Sequence, residues 1–174
     1  MTTRTPHVAH ASGENEWYTP AGIIADARAV MGGIDLDPAS SAGANEVVRA
    51  TRIYTLQTDG LSTSAKWEGR VWLNPPYGRD VCARFISRLM VHRLQGDVTQ
   101  AIVLVNNATE TRWGQALLGH ATAVCFPSRR IRFRRPDGGP SHAPLQGQMI
   151  VGLDVDPDAF SDRFKNWGVV IHAR

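Results

Sequence analysis

The sequence is poor in cysteine and in lysine, and it has no long apolar run. Its two cysteines, Cys82 and Cys125, lie on a predicted helix and a predicted strand without metal-ligand spacing. We therefore expect free buried thiols and no metal site. No apolar run approaches the length that crosses a bilayer, so a membrane-spanning protein is not expected. Residues 1–15 are polar and lack the apolar centre of a signal peptide, which favours a cytoplasmic location.

Positive charge is carried almost entirely by arginine. Among the 19 basic residues only Lys66 and Lys165 are lysine, and the formal net charge is +3. Arginine suits phosphates and base edges, because its planar guanidinium donates several hydrogen bonds in a fixed geometry. The imbalance favours a nucleic-acid partner.

Five of the arginines are crowded into residues 129–135. A charge run of this kind is often only a solvated surface. Here Arg130, Arg132 and Arg134 alternate with Ile131 and Phe133, which predicts a strand or hairpin with one basic face. The alternation favours a nucleic-acid surface.

With 174 residues, the chain is long enough for one ordinary domain. Residues 1–14 have neither helix nor strand period and are expected to form a flexible tail, which leaves 15–174 as the domain. There, predicted strands and helices alternate, and the first helix is expected to start at Pro20 with Thr19 as its N-cap. The apolar run 101–105 is typical of a central parallel strand. This pattern predicts an α/β protein with a mostly parallel, doubly wound sheet and helices on both faces.

The tetrapeptide Asn74-Pro75-Pro76-Tyr77 follows a short predicted strand at 70–73. Its two prolines prevent the strand from continuing, so Asn74 is expected at a carboxyl end, where open α/β sheets bind ligands. The amide oxygen of Asn74 and the carbonyl of Pro75 then supply two acceptors for one amino group. The alternative is an ordinary turn after a strand.

Two acceptors of this kind suit the methylation of an exocyclic amine such as adenine N6. They would hold both amine hydrogens and leave the nitrogen lone pair free to attack a methyl group. Positioning and electrostatics do most of the work in such a transfer, so no strongly perturbed general base is required. Tyr77 would give the base a flat face.

Four motifs occur in a fixed order along the chain. They are Trp17-Tyr18-Thr19-Pro20, Asp35-Leu36-Asp37-Pro38-Ala39-Ser40, Asp59-Gly60-Leu61 and Trp72-Leu73-Asn74-Pro75-Pro76-Tyr77. Over residues 15–153 the chain thereby resembles the phage-type DNA N6-adenine methyltransferases. The resemblance implies a compact Rossmann-like fold, S-adenosylmethionine as methyl donor, and adenine in DNA as acceptor, in a bacterial or phage-infected cell.

The resemblance also implies roles for individual residues. The implied catalytic residues are Asn74, Pro75, Pro76 and Tyr77. The implied cofactor-binding residues are Trp17, Tyr18, Thr19, Pro20, Asp35, Asp37, Pro38, Asp59 and Leu61. The candidate nucleic-acid-binding residues are Arg79, Arg129, Arg130, Arg132, Phe133, Arg134 and Arg135. Among these, Phe133 is the candidate for the second face of a base sandwich. A pocket of this kind does not reach a base inside a duplex, so the target adenine would be flipped out or taken from a single strand.

Two points stay open at the level of sequence. The glycine-rich turn that usually follows the first strand of such enzymes is absent. Either Asp37-Pro38-Ala39 ends that first strand with its glycines lost, or residues 33–38 end the second strand and the first strand is missing. The spacing between this segment and Asn74 fits the second alternative better. The functional alternatives are methylation of cytosine N4, RNA adenine or protein glutamine, or a nucleic-acid-binding module without turnover.

Overall fold

The computed structural model describes residues 18–134 and 146–173, with only the backbone of Arg79. The predictions for Trp17, for Arg135 and for the tail 1–14 therefore lie outside the described residues. So does the prediction for the side chain of Arg79.

The described residues form five helices and seven strands. The helices are α1 (Ala21–Met31), α2 (Ala42–Val48), α3 (Arg79–Leu94), α4 (Arg112–His120) and α5 (Pro157–Phe164). The strands are β1 (Leu36–Asp37), β2 (Arg52–Ile53), β3 (Gly69–Leu73), β4 (Val98–Asn106), β5 (Ala123–Pro127), β6 (Gln148–Leu153) and β7 (Gly168–His172). The two-residue strand β2 was not predicted, because two residues are too few to show a period.

The strands form one sheet in the order β2-β1-β3-β4-β6-β5-β7. Strand β1 is parallel to β2 and β3, and β3 is parallel to β4. Strand β6 is antiparallel to both β4 and β5, and β7 is antiparallel to β5. Strands β1 to β5 therefore point the same way, and the prediction of a mostly parallel α/β sheet is confirmed.

Helices cover both faces of the sheet, also as predicted. Helices α3 and α4 pack on the face that includes Val71 and Leu73. Helices α1, α2 and α5 pack on the face that includes Trp72. Because successive strand residues point to opposite faces, a strand covered on both sides is apolar throughout. The buried run Ala101 to Val105 in β4 has this property.

The strand order reverses between β1 and β3. From β1 the chain goes outward to β2, and β3 then pairs on the other side of β1. In open α/β sheets, ligands bind beyond the carboxyl ends of the strands at such a switch point. Strand β1 ends at Asp37, and Asn74 directly follows β3. This topology favours the alignment in which Asp37-Pro38-Ala39 ends the first strand, and not the one that the spacing to Asn74 favoured.

The start of α1 differs from the prediction. The helix begins at Ala21, Pro20 occupies the N-cap position, and no side chain caps it. The prediction that Thr19 is the N-cap is wrong, because its hydroxyl accepts a hydrogen bond from Asn74 instead. Gly32 ends the helix in the left-handed region, which glycine adopts without strain.

None of the helices in the described ranges is long and apolar enough to cross a membrane.

Candidate active site

Asn74 lies at the carboxyl end of β3, between a buried strand and a helix. Leu73 before it is fully buried, and Pro75 after it is buried too. Helix α3 begins at Arg79, with Gly78 at its N-cap position. The prolines thus end the strand and hold Asn74 at the junction, which is the position that the sequence predicted.

Both ends of the Asn74 carboxamide have hydrogen-bond partners. Its Nδ2 donates to Oγ1 of Thr19 at 3.2 Å. Its Oδ1 accepts from the hydroxyl of Tyr77 at 2.9 Å. Both partners are hydroxyl groups, which donate as well as accept, so the two contacts hold the carboxamide in place and either orientation of the amide satisfies them.

Tyr77 lies between Asn74 and Phe133. The residue is 37% exposed, and its ring meets that of Phe133 at 69°, with centroids 6.1 Å apart. Desolvation, and to a lesser degree Cys82, raises the pKa of the Tyr77 hydroxyl well above its usual range. The hydroxyl therefore stays protonated and keeps donating to Asn74 at neutral pH. Phe133 is only 5% exposed, so it supports the Tyr77 ring from the core.

Asp37 is a buried carboxyl at the end of β1, with 3% exposure. Its Oδ1 accepts from the backbone N–H of Ala39 at 3.1 Å, and its carboxyl also interacts with the Ser40 side chain. Burial raises the pKa of Asp37 to about 6, which outweighs the lowering by these two hydrogen bonds. A buried carboxyl with neutral partners has room to accept further hydrogen bonds from a ligand.

Asp35, by contrast, forms an ion pair with Arg70. The guanidinium donates to both carboxylate oxygens, at 2.8 Å from Nε and 2.7 Å from Nη2, and the Arg70 backbone N–H donates as well. This pair holds the pKa of Asp35 below its ordinary value. Gly69 makes room for it, since a Cβ there would lie 2.6 Å from Oδ2 of Asp35. The pair lies at the amino end of β3, away from Asn74.

The loop with Asp59-Gly60-Leu61 packs on the end of β1. A Cβ on Gly60 would meet the carbonyl oxygen of Pro38 at 2.1 Å, so only glycine fits this approach. Asp59 Oδ1 accepts from the N–H of Leu61 at 2.9 Å, which folds the loop on itself. Arg88 holds the loop from α3 by donating to the carbonyl of Leu61 at 3.1 Å. Motifs separated by more than twenty residues thus meet beside Asp37.

Tyr18 connects the first motif to two other parts of the site. Its backbone pairs with that of Arg134 through two hydrogen bonds of 2.8 Å. Its hydroxyl lies against Gly43 in the first turn of α2, where an added Cβ would be 2.4 Å away. Nothing in the sequence connected Gly43 with Tyr18, because the two residues are brought together only by the tertiary fold.

The arginine segment keeps the predicted alternation but is not a strand. Arg130, Arg132 and Arg134 are exposed, while Ile131 and Phe133 are buried. Only Arg134 makes a β-bridge, so the strand or hairpin assignment is wrong for the described residues 128–133. The backbone N–H of Ile131 donates to the side-chain oxygen of Gln148 and not to a backbone carbonyl, so it forms no ladder hydrogen bond. Arg129 is exposed next to this segment.

The described residues contain no cluster of three His, Cys, Asp or Glu side chains that could hold a metal ion. Cys82 and Cys125 are free and buried, as predicted.

A model of the DNA N-6-adenine-methyltransferase (Dam) family matches residues 7–154, which is most of the chain. The chain belongs to the Dam family. It is an adenine-specific DNA methyltransferase, and its substrate is DNA. The resemblance that the four motifs indicated is thereby confirmed. A comparison with curated proteins gives no match.

Proposed function

We propose that this Dam-family enzyme uses Asn74 and Pro75 to hold the N6 amine of adenine while a methyl group from S-adenosylmethionine is transferred to it. The observation that carries the proposal is the pairing of β1 with β3. It sets the buried carboxyl of Asp37 and the carboxamide of Asn74 at neighbouring strand ends, on either side of the switch point.

The amine is held by two acceptors. Oδ1 of Asn74 accepts one N6 hydrogen in place of the Tyr77 hydroxyl, and the carbonyl of Pro75 accepts the other. Holding both hydrogens would favour a tetrahedral nitrogen, whose lone pair would form the bond to the methyl carbon as the bond from that carbon to the cofactor sulfur breaks and S-adenosylhomocysteine leaves. One N6 proton is afterwards lost to solvent, so the base returns to neutral charge.

The cofactor would bind on the side of the switch point that carries Asp37. S-adenosylmethionine, when bound, supplies an electrophilic methyl group on a sulfonium centre. Asp37 would accept hydrogen bonds from a ribose hydroxyl or an amino group, and these would offset the cost of burying its carboxylate. The loop 59–61 and the segment 18–20 would flank it, and the Tyr18 ring would contribute cation–π attraction. Asp35 is left out of this set, because Arg70 occupies both of its oxygens.

DNA would lie along the exposed arginines that follow β5. The basic face of residues 129–134 is on the same edge of the sheet as Asn74, and Phe133 joins the two by packing against Tyr77. Guanidinium groups there would bind phosphates. The target adenine would be flipped out, or taken from a single strand, and would stack on Tyr77. The one sheet that runs from β2 to β7 supports a single methyltransferase domain over residues 15–174.

The test is incubation with methyl-labelled S-adenosylmethionine and three separate acceptors: duplex DNA, single-stranded DNA and RNA. Nucleoside analysis of each product reports activity, base and position together. We expect label in N6-methyladenine from DNA, and none from a DNA control that contains no adenine. Label in N4-methylcytosine, in RNA adenine alone or in the protein would contradict the proposal.

A further inference from the structure

We infer that Thr19 is a positioning residue that holds the Asn74 carboxamide in place for the adenine amine. The inference rests on the proposed function, since it concerns how the acceptor oxygen of Asn74 is presented. The sequence associated Thr19 with the cofactor, but its hydroxyl bonds to Asn74.

The contact is partly buried and joins distant parts of the chain. Oγ1 of Thr19 accepts from Nδ2 of Asn74 at 3.2 Å, across 55 residues of sequence, and Thr19 is 8% exposed. The hydroxyl has no role in capping α1, which begins after Pro20 without a side-chain cap. The side-chain oxygen is therefore available for the amide.

The orientation of this amide decides whether it can act on an amine. A carboxamide that is turned over exchanges its acceptor oxygen for an NH2 group, which would face the hydrogens of adenine N6 donor to donor. Tyr77 and Thr19 hold the carboxamide in place when no base is bound, and because both hydroxyls donate as well as accept, the orientation is selected only when the amine arrives. Once the base replaces the Tyr77 hydroxyl, the amine hydrogens select Oδ1, and Thr19 then accepts from Nδ2 and holds the carboxamide in that position.

Thr19 itself is held on both sides by backbone hydrogen bonds. Tyr18 before it pairs with Arg134 through two bonds of 2.8 Å. Pro20 after it has a restricted φ, and its carbonyl accepts from the N–H of Ile23 at 3.0 Å in the first turn of α1. A hydroxyl fixed in this way can orient its partner without a large loss of entropy on base binding.

The test compares three full-length variants by single-turnover methyl transfer to DNA at saturating S-adenosylmethionine. Thr19→Val removes the hydroxyl and keeps the shape, whereas Thr19→Ser keeps the hydroxyl. Thr122→Val is the matched control, because Thr122 also loses one hydrogen bond, to the carbonyl of Gly152, at the opposite edge of the sheet. Cofactor dissociation constants and melting temperatures are measured for all three.

We expect the rate constant of Thr19→Val to fall by about tenfold or more, since small displacements of a reacting group can cost up to about 10²-fold. Thr19→Ser should stay within about threefold of wild type, Thr122→Val should be unchanged, and cofactor affinity should be the same in all variants. If Thr19→Val is too unstable to assay, Thr19→Ala is compared with Thr19→Ser and the same difference is expected.

Three results would overturn the inference. They are a normal rate for Thr19→Val, an equal loss for the serine and valine variants, and weaker cofactor binding with a normal rate at saturation, which would make Thr19 a cofactor contact. The parallel Asn74→Ala variant separates this from the proposed function. An inactive Asn74→Ala with a normal Thr19→Val rejects only the inference, whereas an active Asn74→Ala rejects the role of the amide itself.

Discussion

The hydroxyl of Tyr77 donates to Oδ1 of Asn74 at 2.9 Å, so the acceptor proposed for the adenine amine is occupied before any base binds. The same tyrosine offers the ring on which the base would stack. Base binding would therefore exchange the hydrogen bond from the Tyr77 hydroxyl to Asn74 for a stack of the base on the Tyr77 ring. Mutation can separate the contribution of the hydroxyl to activity from that of the ring.

Removal of the Tyr77 hydroxyl is expected to be tolerated, and removal of the ring is not. Tyr77→Phe keeps the stacking surface and frees Oδ1 of Asn74, so it should lose far less activity than Tyr77→Ala. The alanine variant loses a base–aromatic stack worth roughly 1–3 kcal/mol. Methyl transfer measured at several DNA concentrations checks this. Equal loss in both variants would show that the hydroxyl, and not the ring, serves the reaction.

Asp37 should make cofactor binding depend on pH. Its pKa is raised to about 6, so the carboxyl is charged above that pH and takes up a proton below it. Hydrogen bonds donated by the cofactor favour the charged form, and affinity should therefore rise through pH 6 and level off above it. Calorimetric titration between pH 5 and 8 measures this. Asp37→Asn should bind at least about tenfold more weakly at pH 8 and lose the pH dependence, since hydrogen bonds to charged groups are worth about 1.5–3 kcal/mol.

The matched control for that experiment is Asp35→Asn. Its carboxylate pairs with Arg70 at the other end of β3, so the variant should melt at a lower temperature and bind the cofactor normally. The native carboxyl of Asp37 also holds its proton between about pH 4 and 6, where the unfolded chain has lost it. Its contribution to stability therefore decreases as pH rises through this range. Normal cofactor binding by Asp37→Asn together with weak binding by Asp35→Asn would reverse the assignment.

The basic face of residues 130–134 should control the salt dependence of DNA binding. Each arginine that neutralises a phosphate adds close to one unit to the slope of log affinity against log salt. Replacing Arg130, Arg132 and Arg134 together by glutamine should therefore flatten the slope by about two to three units, with cofactor binding unchanged. Arg49→Gln is the control, since Arg49 is exposed at the end of α2, at the other edge of the sheet.

If affinity and slope both survive the triple substitution, the segment is not the DNA surface. Arg84 on α3 then becomes the next candidate. Arg88, on the same helix, is a poorer one, because it donates to the carbonyl of Leu61 and holds the loop that packs on β1.

Features with a local cause could be predicted from the sequence. The prolines after Leu73 stop β3 wherever it lies in the fold, and helices on both sides of β4 require an unbroken apolar run. The alternation of arginines with Ile131 and Phe133 likewise predicted which side chains are buried. The same alternation led to the wrong prediction of a strand. Burial alternates in any extended segment, whereas a strand also requires a hydrogen-bonded neighbouring strand.

The contacts that assemble the site could not be predicted, because each joins residues far apart in the chain. The Thr19 hydroxyl had two partners open to it, the local N–H groups of α1 and the amide of Asn74, and only the tertiary fold decides between them. In the same way, Asp35 and Asp37 are equivalent in sequence. The pairing of β1 with β3 places Asp35 beside Arg70 and leaves Asp37 at the switch point.

The most direct test of the central claim is the single-turnover rate of methyl transfer by Asn74→Ala, with DNA and saturating S-adenosylmethionine. We expect a loss of about 10²-fold or more, because the amide acts on the acceptor amine in the transition state. Cofactor affinity and melting temperature should be close to those of wild type, and Asn166→Ala, at an exposed asparagine after α5, should react normally. An Asn74→Ala variant that still forms N6-methyladenine within a few fold of the wild-type rate would contradict the account.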